Sequence, residues 1–242
     1  MPAPRIARLL ALASALAGCT PPAVAPAPVA AAEDPYEECY AEEVRDPCFA
    51  RIEQRLLAGT GGRVVRDGLE LTFHPRQGAP VTLYDDTTDA DVLVRQRYLT
   101  WLPGIGYHLL RIQYYEGGAY FLVSDRTGAH ENIPGPPLVS PDGRRVVSAS
   151  MDLEAAYDPN RIEIWRVTPE RLEKEWEASG DACDESTPWG PSDVRWVDAR
   201  TLEWVKNEHQ QPDYRRTRML LRHENGGWTL REMGPAPNVP EP

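Results

Sequence analysis

Ten side chains in the C-terminal half have types suited to binding chemistry: Asp152, Glu154, Tyr157, Asp158, Asp181, Asp184, Glu185, Trp189, His209 and Tyr214. Their carboxylates can hold a cationic group while Tyr157 or Trp189 stacks on an apolar or sugar surface. Asp181 and Glu185 offer a second chemistry, because two carboxyls about 5 to 9 Å apart can serve glycoside hydrolysis. The plain alternative is that the acids are solvated and Trp189 packs locally against Pro188 and Pro191. Non-catalytic binding is therefore the leading expectation. A hydrolase or lyase acting on carbohydrate or peptide comes second, and a purely structural surface protein third.

Other catalytic templates are missing from the sequence. It has no His-Glu-x-x-His, no Gly-x-Ser-x-Gly, no phosphate loop ending in Gly-Lys-Ser/Thr and no calcium loop of alternating acids. No cofactor is implied, and no metal. The glycines of Ala58-Gly59-Thr60-Gly61-Gly62 follow a helical pattern rather than a strand, so they read as a hinge. The five histidines are dispersed, and His108 shares an alternating face with Leu110 and Ile112, as a core histidine would. Arg216, Arg218 and Arg222 read as a solvated strand face.

The balance of charge is acidic, with 26 Lys and Arg against 37 Asp and Glu, a formal net charge of −11. That excludes the basic footprint which nucleic acid requires. It also argues against lying flat on an anionic lipid surface.

The ends read differently from the body. Residues 1–18 have a basic start (Arg5, Arg8), a short apolar run and small residues before a cut, the pattern of an export signal. Leu16-Ala17-Gly18-Cys19 resembles the lipobox of bacterial lipoproteins, whose cysteine is acylated and becomes the new N-terminus. The resemblance implies a bilayer anchor through Cys19. Thr20 rather than Asp at the next position implies the outer membrane, with the body expected on the periplasmic side. Residues 19–35, nearly all Pro, Ala and Val, form an extended spacer, and the tail 234–242 should be disordered.

With Cys19 lipidated, Cys39, Cys48 and Cys183 remain in a compartment where disulfides persist. Three single pairs are open to them. Residues 36–60 carry two helix starts, Asp34-Pro35-Tyr36-Glu37 and Asp46-Pro47, with Phe49, Ile52 and Leu56 on one face and Gly59 as a stop. Two short helices joined near Asp46 would bring Cys39 and Cys48 together, so that pair is favoured. Cys183 is left over.

From Arg63 the period becomes two, in Leu69-Leu71-Phe73, Leu110-Ile112-Tyr114, Ile162-Ile164, Leu202-Trp204 and Trp228-Leu230. Turn residues punctuate these runs, so the fold class over 63–233 is all-β, in antiparallel four-strand meanders. Residues 138–147 can be laid over 194–203, and further groups fit around 101–128 and 63–90. Only 169–178 suggests one more turn of helix. About four units of roughly 40 residues match the period of propeller blades. Ser140-Pro141-Asp142-Gly143-Arg144 resembles the first turn of TolB-like and WD-type β-propellers. The resemblance implies a propeller-like arrangement and a protein or glycan partner in the envelope. In such a meander, the second turn and the link to the next unit share one end. Loops 151–160, 180–192 and 206–214 would lie there, bearing the acidic and aromatic residues named above.

Overall fold

The computed structural model describes residues 34–181, 187–210 and 213–237. The expected signal, Cys19, most of the spacer, Cys183, Asp184, Glu185 and the last five residues lie outside them. No helix among the described residues is long and apolar enough to cross a membrane.

The chain enters through a 3-10 turn, Glu37–Ala41, and a single α-helix, α1 (Arg45–Ala58). Asp34 caps the first turn, accepting a bond from the Tyr36 N–H at 2.9 Å. The expected first helix stops there, after five residues. Cys39 and Cys48 are joined by a disulfide, their Cα atoms 5.6 Å apart and both side chains buried.

Apart from a short 3-10 turn at Ala90–Val92, the remaining regular structure is antiparallel sheet, in chain order. β1 (Val64–Asp67), β2 (Glu70–Phe73) and β3 (Val81–Tyr84) form a three-stranded sheet, the shortened first unit. The second sheet holds β4 (Val94–Leu102), β5 (Tyr107–Tyr114), β6 (Gly118–Ser124) and β7 (His130–Ile133). The third holds β8 (Pro137–Val139), β9 (Arg145–Ser150), β10 (Arg161–Val167) and β11 (Leu172–Ser179). The fourth holds β12 (Trp189–Asp198), β13 (Thr201–Gln210), β14 (Asp213–Glu224) and β15 (Gly227–Pro235). Each is a simple meander, which short turns allow.

Turn chemistry explains the first-turn motif. Asp142 accepts from the Ser140 hydroxyl (2.7 Å) and the Arg144 N–H (3.1 Å), while Ser140 Oγ accepts from the Arg145 N–H (3.0 Å). Gly143 closes the turn at φ +69°, where a side chain is strained.

The sheets stack face to face, and three apolar clusters lie between successive ones. Val64, Leu71 and Phe73 meet Tyr98, Leu110 and Val123. Leu99, Leu109 and Leu122 meet Val146 and Trp165, with Phe49 and Ile52 of α1. Val147, Ile162 and Ile164 meet Trp196, Trp204 and Met219. Middle sheets are therefore buried on both faces, which is why adjacent residues Leu109 and Leu110 are both fully covered. None of these clusters joins the first sheet to the fourth, so the stack does not close into a ring.

Helix α1 covers the edge of β4 away from β5 around Tyr98, while Asp86 bridges Val94 at its start. The Tyr36 hydroxyl donates to the Tyr98 carbonyl (2.6 Å), and the Tyr98 N–H donates to Glu53 (2.9 Å). Glu53 is itself held by Arg66 in two bonds of 2.9 and 3.0 Å. Buried His108 bonds Tyr98 (3.1 Å) and Asp125 (3.3 Å), a satisfied core histidine. Burial lowers its pKa, against the opposing pull of Asp125.

Three expectations are corrected. Residues 172–179 form β11, not a helical turn, because Leu172 and the partly buried Trp176 pack in strand geometry against the second and fourth sheets. The loop expected at 206–214 is mostly ladder: β13 runs to Gln210, β14 starts at Asp213, and His209 pairs with Tyr214. Strand β15 carries pairing to Pro235, into the expected tail.

Candidate functional site

The end of the stack formed by the second turns carries three of the described clefts. Its longest described loop, 151–160, is organised by Asp152. That carboxylate accepts from the N–H groups of Ala155 (3.0 Å), Tyr157 (2.8 Å) and Asp158 (3.1 Å). These backbone bonds, the Asp158 N–H foremost, hold its pKa below the usual carboxylate range. Asp181 accepts from the Asn160 backbone (3.0 Å) and side chain (3.1 Å). Both acids thus shape the loop and are engaged.

The remaining expected residues divide. Asp152, Glu154 and Tyr214 share a shallow pocket of about 190 Å³ with Met151, Leu153 and Asn207, and the Tyr214 hydroxyl donates to Glu154. Trp189 lies on a strand rather than in a loop. Its ring stacks on Trp204 at 5.3 Å and packs with the core between the third and fourth sheets. His209 is likewise on a strand, edge-on to Tyr214 at 5.5 Å. Tyr157 is exposed beside Asp158. Asp184 and Glu185 lie outside the described residues, so an Asp181–Glu185 pair has no described geometry.

The most voluminous of the described clefts is built, Asp158 apart, from residues the sequence did not single out for chemistry. It has a volume of about 420 Å³ and is lined by Arg45, Arg95, Arg97 and Arg111, with Tyr40, Phe49, Tyr114 and Tyr115 among the other walls. Two carboxylates, Asp46 and Asp158, complete the charged lining. Arg95 and Arg97 are two apart on β4 and so share a face. Ladder register then sets Arg97 directly opposite Arg111 on β5. Like charges so placed are destabilising, and the surroundings must offset them.

The offsets are visible. Asp46 lies 2.8 Å from Arg95 and 3.7 Å from Arg97. Arg111 donates to the Tyr40 hydroxyl (3.0 Å) and reaches Asp34 at 3.5 Å. The Arg97 guanidinium lies over the Phe49 ring at 3.9 Å. It is only 13% exposed, and it makes no hydrogen bond among the described residues. Burial first, and Arg95 next, lower its pKa, though an arginine stays charged at any ordinary pH. Arg45, which opens α1, is exposed and makes no ion pair among the described residues.

Loop 151–160 closes the far wall. Asp158 accepts from the Gly118 N–H at 2.7 Å. Gly117 (φ +75°) lets the β5–β6 turn approach, because a Cβ there would come within 2.5 Å of Asp158 Oδ1 and 3.1 Å of the Tyr157 carbonyl. A sequence signal existed in Arg95-Gln96-Arg97. Only the strand register, however, brings Arg111 beside it. No protein-family model, curated protein or solved structure matches this chain.

Proposed function

We propose that this chain is a lipid-anchored envelope protein whose β-rich body is a non-catalytic binding module. The observation that supports binding is the composition of the largest cleft. It presents guanidiniums and aromatic rings, while its carboxylates are already engaged by Arg95 and by the Gly118 N–H. A general acid or base needs a carboxyl or imidazole free to meet a substrate proton. The meanders stacked in chain order favour a propeller-like body, left open between its first and fourth sheets. Loops at one end of such a scaffold are where recognition usually resides.

The anchor rests on Leu16-Ala17-Gly18-Cys19 behind an export signal. Acyl chains on Cys19 would hold the protein to the periplasmic side of the outer membrane. The Cys19→Ser variant should therefore move from the detergent phase to the aqueous phase in a phase-partition assay. Continued partition into detergent would sink the anchor. Cross-linking in whole cells, followed by recovery through the described body, should capture an envelope component. Recovery of nothing beyond the chain itself would sink the binding module.

A further inference from the structure

We infer that the arginine-lined cleft is the recognition site for an anionic sugar, one bearing a phosphate or a carboxylate. The inference rests on reading the body as a binding module but not on the lipid anchor. Its first support is electrostatic. In a chain of net charge −11, a cleft of about 420 Å³ gathers four guanidiniums against two carboxylates. Arg97 and Arg111 are forced face to face by register, an arrangement an anion between them would relieve.

The second support is the state of Arg97. A guanidinium carries five N–H donors in a flat fork that matches phosphate or carboxylate oxygens. Here the guanidinium carbon sits 3.9 Å from the Phe49 ring centre, and the group is mostly buried and hydrogen-bonded to nothing among the described residues. Its nearest carboxylate oxygen, on Asp46, stands at 3.7 Å, beyond a hydrogen bond. An anionic oxygen entering the cleft would satisfy donors that the protein itself leaves unmet. Arg45 adds an exposed guanidinium that has no ion pair among the described residues.

The third support is size and wall chemistry. About 420 Å³ falls within the range of small-molecule sites and exceeds the needs of a bare anion. A tyrosine ring has an apolar face, and Tyr114 and Tyr115 both line the cleft with the guanidiniums, Tyr115 being exposed. A sugar ring can stack on such a face while its charged group meets the arginines.

Calorimetric titration of the full chain in detergent tests this with four probes: glucose 6-phosphate, glucuronate, neutral glucose and inorganic phosphate. At least one anionic sugar should bind, with glucose silent and inorganic phosphate weaker. Which of the two binds more tightly identifies the anionic group. Arg45→Gln, at a position exposed and without an ion pair among the described residues, should keep the parent melting temperature and weaken binding about threefold to tenfold. Arg97→Lys keeps the charge but loses the flat fork, and should weaken binding about tenfold or more.

No heat from either anionic sugar at about 10 mM would overturn the proposal, since affinity would then lie below about 2.7 kcal/mol. Equal binding of glucose, or unchanged affinity in both variants, would overturn it too. Inorganic phosphate binding as tightly as the sugar phosphate would overturn the sugar part. If partner recovery succeeds while every titration is silent, the module stands and only the ligand class falls.

Discussion

Arg97 and Arg111 face each other across β4 and β5, and nothing local in the strands favours that. Their tolerance depends on neighbours from elsewhere in the chain: Phe49 and Asp46 on α1, with Tyr40 and Asp34 before it. Gly117 makes a comparable contribution through what it lacks. Its positive φ and missing Cβ let the β5–β6 turn reach Asp158, so the cleft acquires its far wall. Gly117→Ala should destabilise the protein by about 1 to 3 kcal/mol through strain and the displaced Asp158 contact. Urea denaturation measures this, and a variant as stable as its parent would contradict the close approach.

Strand β4 has β5 on one side and only a single bridge, from Val94 to Asp86, on the other, so the rest of that edge is a liability for any chain rich in sheet. Helix α1 and the turn before it resolve this with side chains, through Tyr36 and Glu53 on the two backbone groups of Tyr98. The Cys39–Cys48 bond ties that turn to the helix. Replacing both cysteines with alanine should cost about 2 to 3 kcal/mol by loop closure. The same change should speed amide exchange at Tyr98, because the helix then leaves the edge more readily. Unaltered exchange there would mean that the helix docks without help from the disulfide.

Four sheets in a row, unclosed, make a molecule whose stability is graded from its middle to its ends. The second and third sheets are covered on both faces, and β5 buries nearly every side chain. Strand β15, last in the fourth sheet, is mostly exposed, with Leu230 and Met233 uncovered. On the first sheet Val65, Leu69 and Tyr84 are similarly bare. Amide protection should therefore be highest in β5 and lowest in β15, with opening spreading inward from the fourth sheet. Uniform protection across all four sheets would show instead that the ends are held by something beyond these contacts.

Much of this architecture is local and was therefore legible in the residues. Two-residue alternation in Leu110-Ile112 or Leu202-Trp204 marks a strand wherever it falls, and Ser140-Pro141-Asp142-Gly143 specifies its turn through its own hydrogen bonds. The closeness of Cys39 and Cys48 followed from two local helix starts, even though the first of them yields only a 3-10 turn. Loop lengths were harder to read. Polar residues such as Lys206 to His209 look like loop, yet they continue a ladder whose partner strand supplies their backbone bonds. The acids that drew attention, Asp152 and Asp181, proved to be engaged by backbone and Asn160 donors that composition does not reveal.

The cleft was beyond the reach of sequence reasoning, for a physical reason. Arg45, Arg95, Arg97 and Arg111 lie on a helix and two strands, and each alone reads as a solvated charge. Pairing register and the docking of α1 place them around one space, and both depend on contacts between distant parts of the chain. Residue order alone determined the strands, their turns and the nearness of two cysteines, because those rest on neighbours a few positions away. Tertiary structure decided where the charges converge, because an electrostatic site is a property of distances across the fold.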